Sequence, residues 1–102
     1  MRKHVAIYIR VSSRQQDTKS QEPDLERWAA TQSEPVRIYR DKATGKTMDR
    51  PGWNRLTEAI ATGQVSSVVV WRLDRLGRTA AGLTRLFVEL QSKGINLVSL
   101  KD

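Results

Sequence analysis

Cysteine is absent from the 102 residues, which excludes a disulfide framework and a thiolate metal site. There is one histidine, His4, at the start of the first apolar run, and one imidazole backed only by carboxylates is a poor zinc set. No apolar run approaches the ~18 residues of a membrane span. Val5-Ala6-Ile7-Tyr8 is cut short by Arg10 before it can act as the apolar part of a secretion signal, so a cytoplasmic placement is expected. Internal repeats and low-complexity stretches are lacking. Glycine is missing between the first strand and the first helix, which rules out a Walker loop. No pair of acids closes the first strand, as a two-metal nuclease or a receiver domain would need for a divalent cation. Neither a metal nor a cofactor is expected.

Positive charge, by contrast, is plentiful. Eighteen Lys and Arg stand against eleven Asp and Glu, a net charge of +7. A polyanion is the natural partner for such a chain. A merely well-solvated basic surface fits the same total, so the positions of the charges must decide. The length suits one domain, and 38% apolar with 28% charged residues suits a soluble globular fold.

The apolar pattern alternates between two periods. Val5 to Val11 reads as a strand, with Val5, Ile7, Ile9 and Val11 on one face and Ala6, Tyr8, Arg10 and Ser12 on the other. Ser20 is a candidate N-cap for a helix running to about Thr31, with Pro23 in its first turn. Val36 to Arg40 is a second strand, and Asp41 to Arg50 a polar loop. Pro51-Gly52 opens a second helix that ends at Gly63. Val65 to Trp71 is a β-branched strand buried on both faces. Leu73 to Arg78 is a charged connector, and Thr79 caps a third helix ending at Gly94. Ile95 to Leu100 is a fourth strand. Trp28, Trp53, Leu86 and Phe87 are expected in the core.

This β-α-β-α-β-α-β order predicts a three-layer, doubly wound α/β fold with a mostly parallel four-stranded sheet in the order 2-1-3-4. The first helix covers one face, and the second and third cover the other. A face carrying one helix is expected to need a further element, so the chain reads as a piece of a longer protein.

Ligands of such sheets bind beyond the carboxyl ends of the strands, at the point where the winding reverses, here between strands one and three. Nine basic residues are expected at that rim: Arg10, Arg14, Arg40, Lys42, Lys46, Arg50, Arg72, Arg75 and Arg78. Guanidinium forks at a ligand crevice suit phosphate, because each fork binds two oxygens. Tyr8, Arg10 and Ser12 bring a ring, a cation and a hydroxyl along one strand face. A serine needs a group to take its proton. His4 lies at the wrong end of the strand, which leaves Asp74 and Asp41 as acid/base candidates. Arginines can stabilise the charge of a five-coordinate phosphate transition state, so metal-independent phosphoryl transfer is expected. Blander readings remain at this point. Ser12-Ser13 can be turn residues, and Arg75 and Arg78 can pair with Asp74 or Glu89. A silent basic DNA-binding module, or a nuclease or phosphatase on the same fold, remains as an alternative.

Three motifs then become recognisable. Tyr8-Ile9-Arg10-Val11-Ser12-Ser13, followed by Gln16 and Gln21, resembles the N-terminal signature of the resolvase/invertase family of serine recombinases. Asp41-Lys42-Ala43-Thr44-Gly45 with Asp49-Arg50 resembles the family's second motif, and Leu73-Asp74-Arg75-Leu76-Gly77-Arg78 its third. They occur in family order, and the resemblance covers essentially residues 1–102 as one catalytic domain. It implies that Ser12 attacks the scissile phosphate of DNA and carries a 5′-phosphoserine. Arg10, Arg75 and Arg78 would hold the phosphate, and Arg50 would add charge. Asp74 would orient the arginines or handle a proton. Gln16, Gln21, Asp41 and Thr44 would support the site, and Tyr8 would brace Arg10. The resemblance further implies a dimerisation helix and a DNA-binding module beyond this chain, and a dimer or tetramer of the whole protein. The piece alone is expected to be monomeric and inactive in recombination.

Overall fold

The computed structural model describes residues 3–12, 15–43, 50–73 and 80–101, leaving aside the side chains of residues 11, 12, 15–20, 42, 43 and 80. Strands β1 (His4–Ser12), β2 (Val36–Ala43), β3 (Val65–Val70) and β4 (Asn96–Ser99) alternate with helices α1 (Gln15–Ala29), α2 (Pro51–Ala61) and α3 (Ala80–Ser92). All neighbouring strands pair in parallel, in the order β2-β1-β3-β4. That is the expected topology, with β1 and β3 at the centre.

Alternation along β1 sorts the core into two layers. Ala6 and Tyr8 meet Trp53, Leu56 and Ile60 of α2 and Leu86 and Leu90 of α3. Val5, Ile7 and Ile9 face the other way, onto Leu25, Trp28 and Ala29 of α1. In β3, Val68 and Val70 join the first layer and Val69 the second. A central strand of a parallel sheet is covered on both faces, which favours continuous β-branched sequence. Among the described residues α1 is the one helix on its face, where Val98 and Leu100 remain half-buried. No described helix is long and apolar enough to cross a membrane.

Four expectations need correction. Helix α1 begins at Gln15, so Ser20 lies inside it rather than capping it. Pro23 sits well within this helix, where it forfeits one helical hydrogen bond without ending it. The first turns of α1, Gln15 to Ser20, carry only polar side chains, so no apolar stripe marks them in the sequence. Strand β2 runs to Ala43 because β1 continues beside it, pairing Arg10 with Asp41, Val11 with Lys42 and Ser12 with Ala43. Phe87 is exposed, at 38%. It follows Leu86 by one residue and so falls off the inward stripe made by Leu86 and Leu90.

Helix α2 is set unusually close to β2. A Cβ on Gly52 would lie 2.3 Å from the Arg40 carbonyl oxygen, so only glycine fits there. At its other end, α2 stops before Gly63, whose φ of +76° is a conformation L side chains rarely adopt.

Candidate phosphate site at the carboxyl end of the sheet

Helix α2 places a cluster at the ends of β1 and β2. Pro51 at its first position has no N–H to satisfy, but the next two amides need acceptors. Arg50, the residue before it, offers no side-chain cap. The acceptor instead comes from the neighbouring strand. Asp41, 6% exposed, accepts from Gly52 N at 2.8 Å through Oδ1 and from Trp53 N at 2.8 Å through Oδ2. The positive end of the helix dipole favours a carboxylate at this point.

Asp41 Oδ2 also accepts the Tyr8 hydroxyl at 2.7 Å. That hydroxyl in turn accepts from Arg50 Nη2 at 2.8 Å. Burial, reinforced by the bond to Asp41, pushes the Tyr8 phenol up to about 12, so it stays protonated and keeps donating. The Arg50 guanidinium carbon lies 5.5 Å from the Tyr8 ring centroid and 5.2 Å from that of Trp53. A carboxylate that caps a helix, a tyrosine and an arginine thus form one chain of contacts.

Two readings change here. Asp41 was a candidate acid/base, yet three donors already occupy its two oxygens and bury it. Its oxygens hold the first amides of α2 and the Tyr8 hydroxyl in place. Tyr8 was expected to brace Arg10, but its hydroxyl contacts Arg50 and Asp41 instead.

Arg10 lies two residues before the end of β1, half-buried, paired in register with Asp41. Despite that neighbour, its guanidinium makes no ion pair or hydrogen bond among the described residues. Gln21, fully buried on α1, donates to the Arg10 carbonyl at 3.4 Å. Its own Oε1 is buried with no partner among the described residues.

Of the nine cations expected at the rim, the described residues move Arg40 off it. Arg40 points to the opposite face, where its Nε binds Glu22 Oε1 of α1 at 2.9 Å. Arg72 is exposed and stacks on Trp71, 4.8 Å from the ring centroid. Trp71 Nε1 donates to Asp24 Oδ2 at 2.9 Å, and Lys101 Nζ lies 3.4 Å from the same oxygen. The Trp71 bond is the main reason the Asp24 carboxyl is held below its usual range. Helix α1 is thereby fastened to the exits of β3 and β4. Ser12 closes β1 opposite Ala43, but its side chain, like those of Gln16 and Lys42, lies outside the described residues. Arg14, Thr44, Lys46, Asp74, Arg75 and Arg78 lie outside them altogether. Sequence reasoning assigned Trp53 to the core alone. Its spacing of three from Arg50 across a helix start was the available signal of a second contact.

Comparison with known proteins places this geometry. The model of the resolvase N-terminal domain matches residues 5–102. The chain is 41% identical over 95 residues to the serine recombinase gin of Escherichia phage Mu, covering 93% of this chain and 46% of that protein. It is 40% identical over 95 residues to the DNA-invertase of Escherichia phage P1, covering 93% and 47%. The chain therefore spans about half the length of these relatives. Among solved structures, the N-terminal catalytic domain of TP901-1 integrase superposes with a TM-score of 0.74 at 30% identity, covering 96% of this chain and 77% of that one. A serine recombinase from Sulfolobus solfataricus gives a TM-score of 0.75 at 29% identity, covering 99% and 71%.

Proposed function

Because this chain belongs to the resolvase family, as its N-terminal domain, we propose that it cleaves and rejoins DNA in site-specific recombination, with Ser12 as the nucleophile. The supporting observation is the pair of arginines at the carboxyl ends of β1 and β2. Arg10, on the strand that ends at Ser12, has no side-chain partner among the described residues, and Arg50 is held by Tyr8.

The Ser12 oxygen attacks the scissile phosphorus. The new bond is phosphorus to serine oxygen, and the broken bond is phosphorus to the 3′ oxygen. The serine proton ends on that leaving oxygen, with Asp74 as the relay. The products are a 5′-phosphoserine and a free 3′-hydroxyl. Rejoining runs the same step backward from a new 3′-hydroxyl, so one ester replaces another and no ATP is needed. Arg10, Arg75 and Arg78 bind the non-bridging oxygens and stabilise the added charge of the five-coordinate state, with Arg50 behind them. Guanidinium groups carry the charge neutralisation that a divalent metal provides in other phosphoryl-transfer sites. The whole protein acts as a dimer or tetramer on DNA.

The test is to trap the protein–DNA link with a full-length recombinase carrying this domain, in the presence of a chelator. Native protein should give a serine-linked 5′ end, and Ser12→Ala none at all. Cleavage that stops with EDTA, or that survives Ser12→Ala, refutes the assignment. A DNA-binding module without catalysis would give no link in either form.

A further inference from the structure

Arg50 is held from three sides, and the phosphate reading explains why it should be present but not why an indole lies against it. Trp53 is 5% exposed, and its volume serves the layer between α2 and the sheet. A leucine or phenylalanine would serve that layer as well. Only aromatic faces, however, attract a cation, and indole does so most strongly. The Tyr8 and Trp53 rings stand 5.2 Å apart at 74°, edge to face. The Arg50 guanidinium carbon is within 5.5 Å of one centroid and 5.2 Å of the other. It therefore sits in a notch with aromatic walls on two sides.

A hydrogen bond from Nη2 to the Tyr8 oxygen fixes one corner of the guanidinium, and the two rings bound it on two sides. The backbone is fixed as well, since the Arg50 carbonyl accepts the first helical bond of α2, from Asn54 N at 2.9 Å. Donors already oriented before charge develops stabilise a transition state without reorganising.

We propose that Trp53 is a positioning residue for Arg50, its indole face and the Tyr8 phenol together holding the guanidinium ready for a phosphate oxygen. This rests on the reading that Arg50 serves the phosphate.

The experiment weakens the ring's attraction for cations while barely changing its size. Tryptophan 53 alone is replaced by mono-, di- and trifluorinated tryptophan through nonsense suppression, in a full-length recombinase carrying this domain. Strand-cleavage rates should fall stepwise, by about tenfold across the series, as expected for a partly desolvated cation–π contact. The thermal midpoint should stay constant along the series. Trp53→Phe should retain part of the rate, and Trp53→Leu the least. A flat rate across the fluorinated series overturns the proposal, whatever Trp53→Leu does to folding. Arg50→Ala separates this idea from its premise. If cleavage survives that change, Arg50 has no phosphate role and both ideas fall. If Arg50→Ala abolishes cleavage while the fluorinated series is flat, the indole clamp alone is wrong.

Discussion

Tyr8 of β1 and Tyr39 of β2 are register partners, yet their hydroxyls serve clusters toward opposite ends of the seam, built to opposite purposes. At the amino end, His4 Nε2 lies 2.8 Å from the Tyr39 hydroxyl, with the rings stacked 6.0 Å apart. Both residues are buried, and the hydrogen bond joins them to each other. At the carboxyl end, Tyr8 passes its hydrogen bonds outward, to a helix-capping carboxylate on one side and an arginine on the other. The strand pairing is continuous between the two ends. What differs is the arrival of α2, whose first amides land on Asp41. The lesson is that a helix start set against a strand end turns a core pair into a scaffold for cations.

If the carboxyl end exists for a ligand, its open cation should matter to activity and hardly to folding. Arg10→Ala is expected to lower DNA cleavage by about 10²–10³-fold, the effect of losing one preorganised charge donor. Its thermal midpoint should stay near that of the native protein, because Arg10 has no partner among the described residues to lose. Unfolding by Arg10→Ala, measured by calorimetry, would break the comparison.

Asp41 should behave in the opposite way. Asp41→Ala strands two helix amides and the Tyr8 hydroxyl, and should cost about 2–4 kcal/mol of stability in denaturant titration. Activity should fall with it, since Tyr8 and Arg50 lose their reference point. A change below about 0.5 kcal/mol, the usual effect of an uninvolved surface residue, would mean that the cap does not matter.

The amino end should show itself only in pH dependence, and weakly. Burial, with Arg37 nearby, holds the His4 imidazole below its ordinary value of 6.5. The folded state therefore binds fewer protons than the unfolded one just below that pH. Stability from this group is complete above 6.5 and is lost as pH falls toward the lowered value. His4→Gln should flatten the native protein's decline in unfolding midpoint between pH 7 and pH 5. It should leave cleavage at pH 7.5 unchanged. An identical decline in both proteins would remove His4 as its source.

The sheet order and its two layers were legible because they depend on apolar periodicity, and Val5, Ile7 and Ile9 alternate cleanly with Ala6 and Tyr8. The start of α1 and the end of β2 were not. Gln15 to Gln21 and Asp41 to Lys42 carry polar side chains inside regular structure, so apolar periodicity does not mark them. Arg40 was misplaced on the rim, although alternation alone puts it opposite Tyr39 and Asp41. The attachment of Asp41 to Gly52 and Trp53 could not be read, since it depends on where α2 lands. Tyr8 was expected beside Arg10, while its hydroxyl contacts Arg50 and Asp41, because parity along a strand says nothing of partners delivered from a helix.

The three donors on Asp41 have one more effect. An acid lies directly across from Arg10 in register, and ordinarily it would quench that cation. Here two amides and a phenol occupy the acid first, so the fold hides its own counterion. Anyone moving this chemistry to another scaffold would have to carry over that shield as well as the arginine. Without it, the new host's own carboxylate would fill the place proposed for a phosphate.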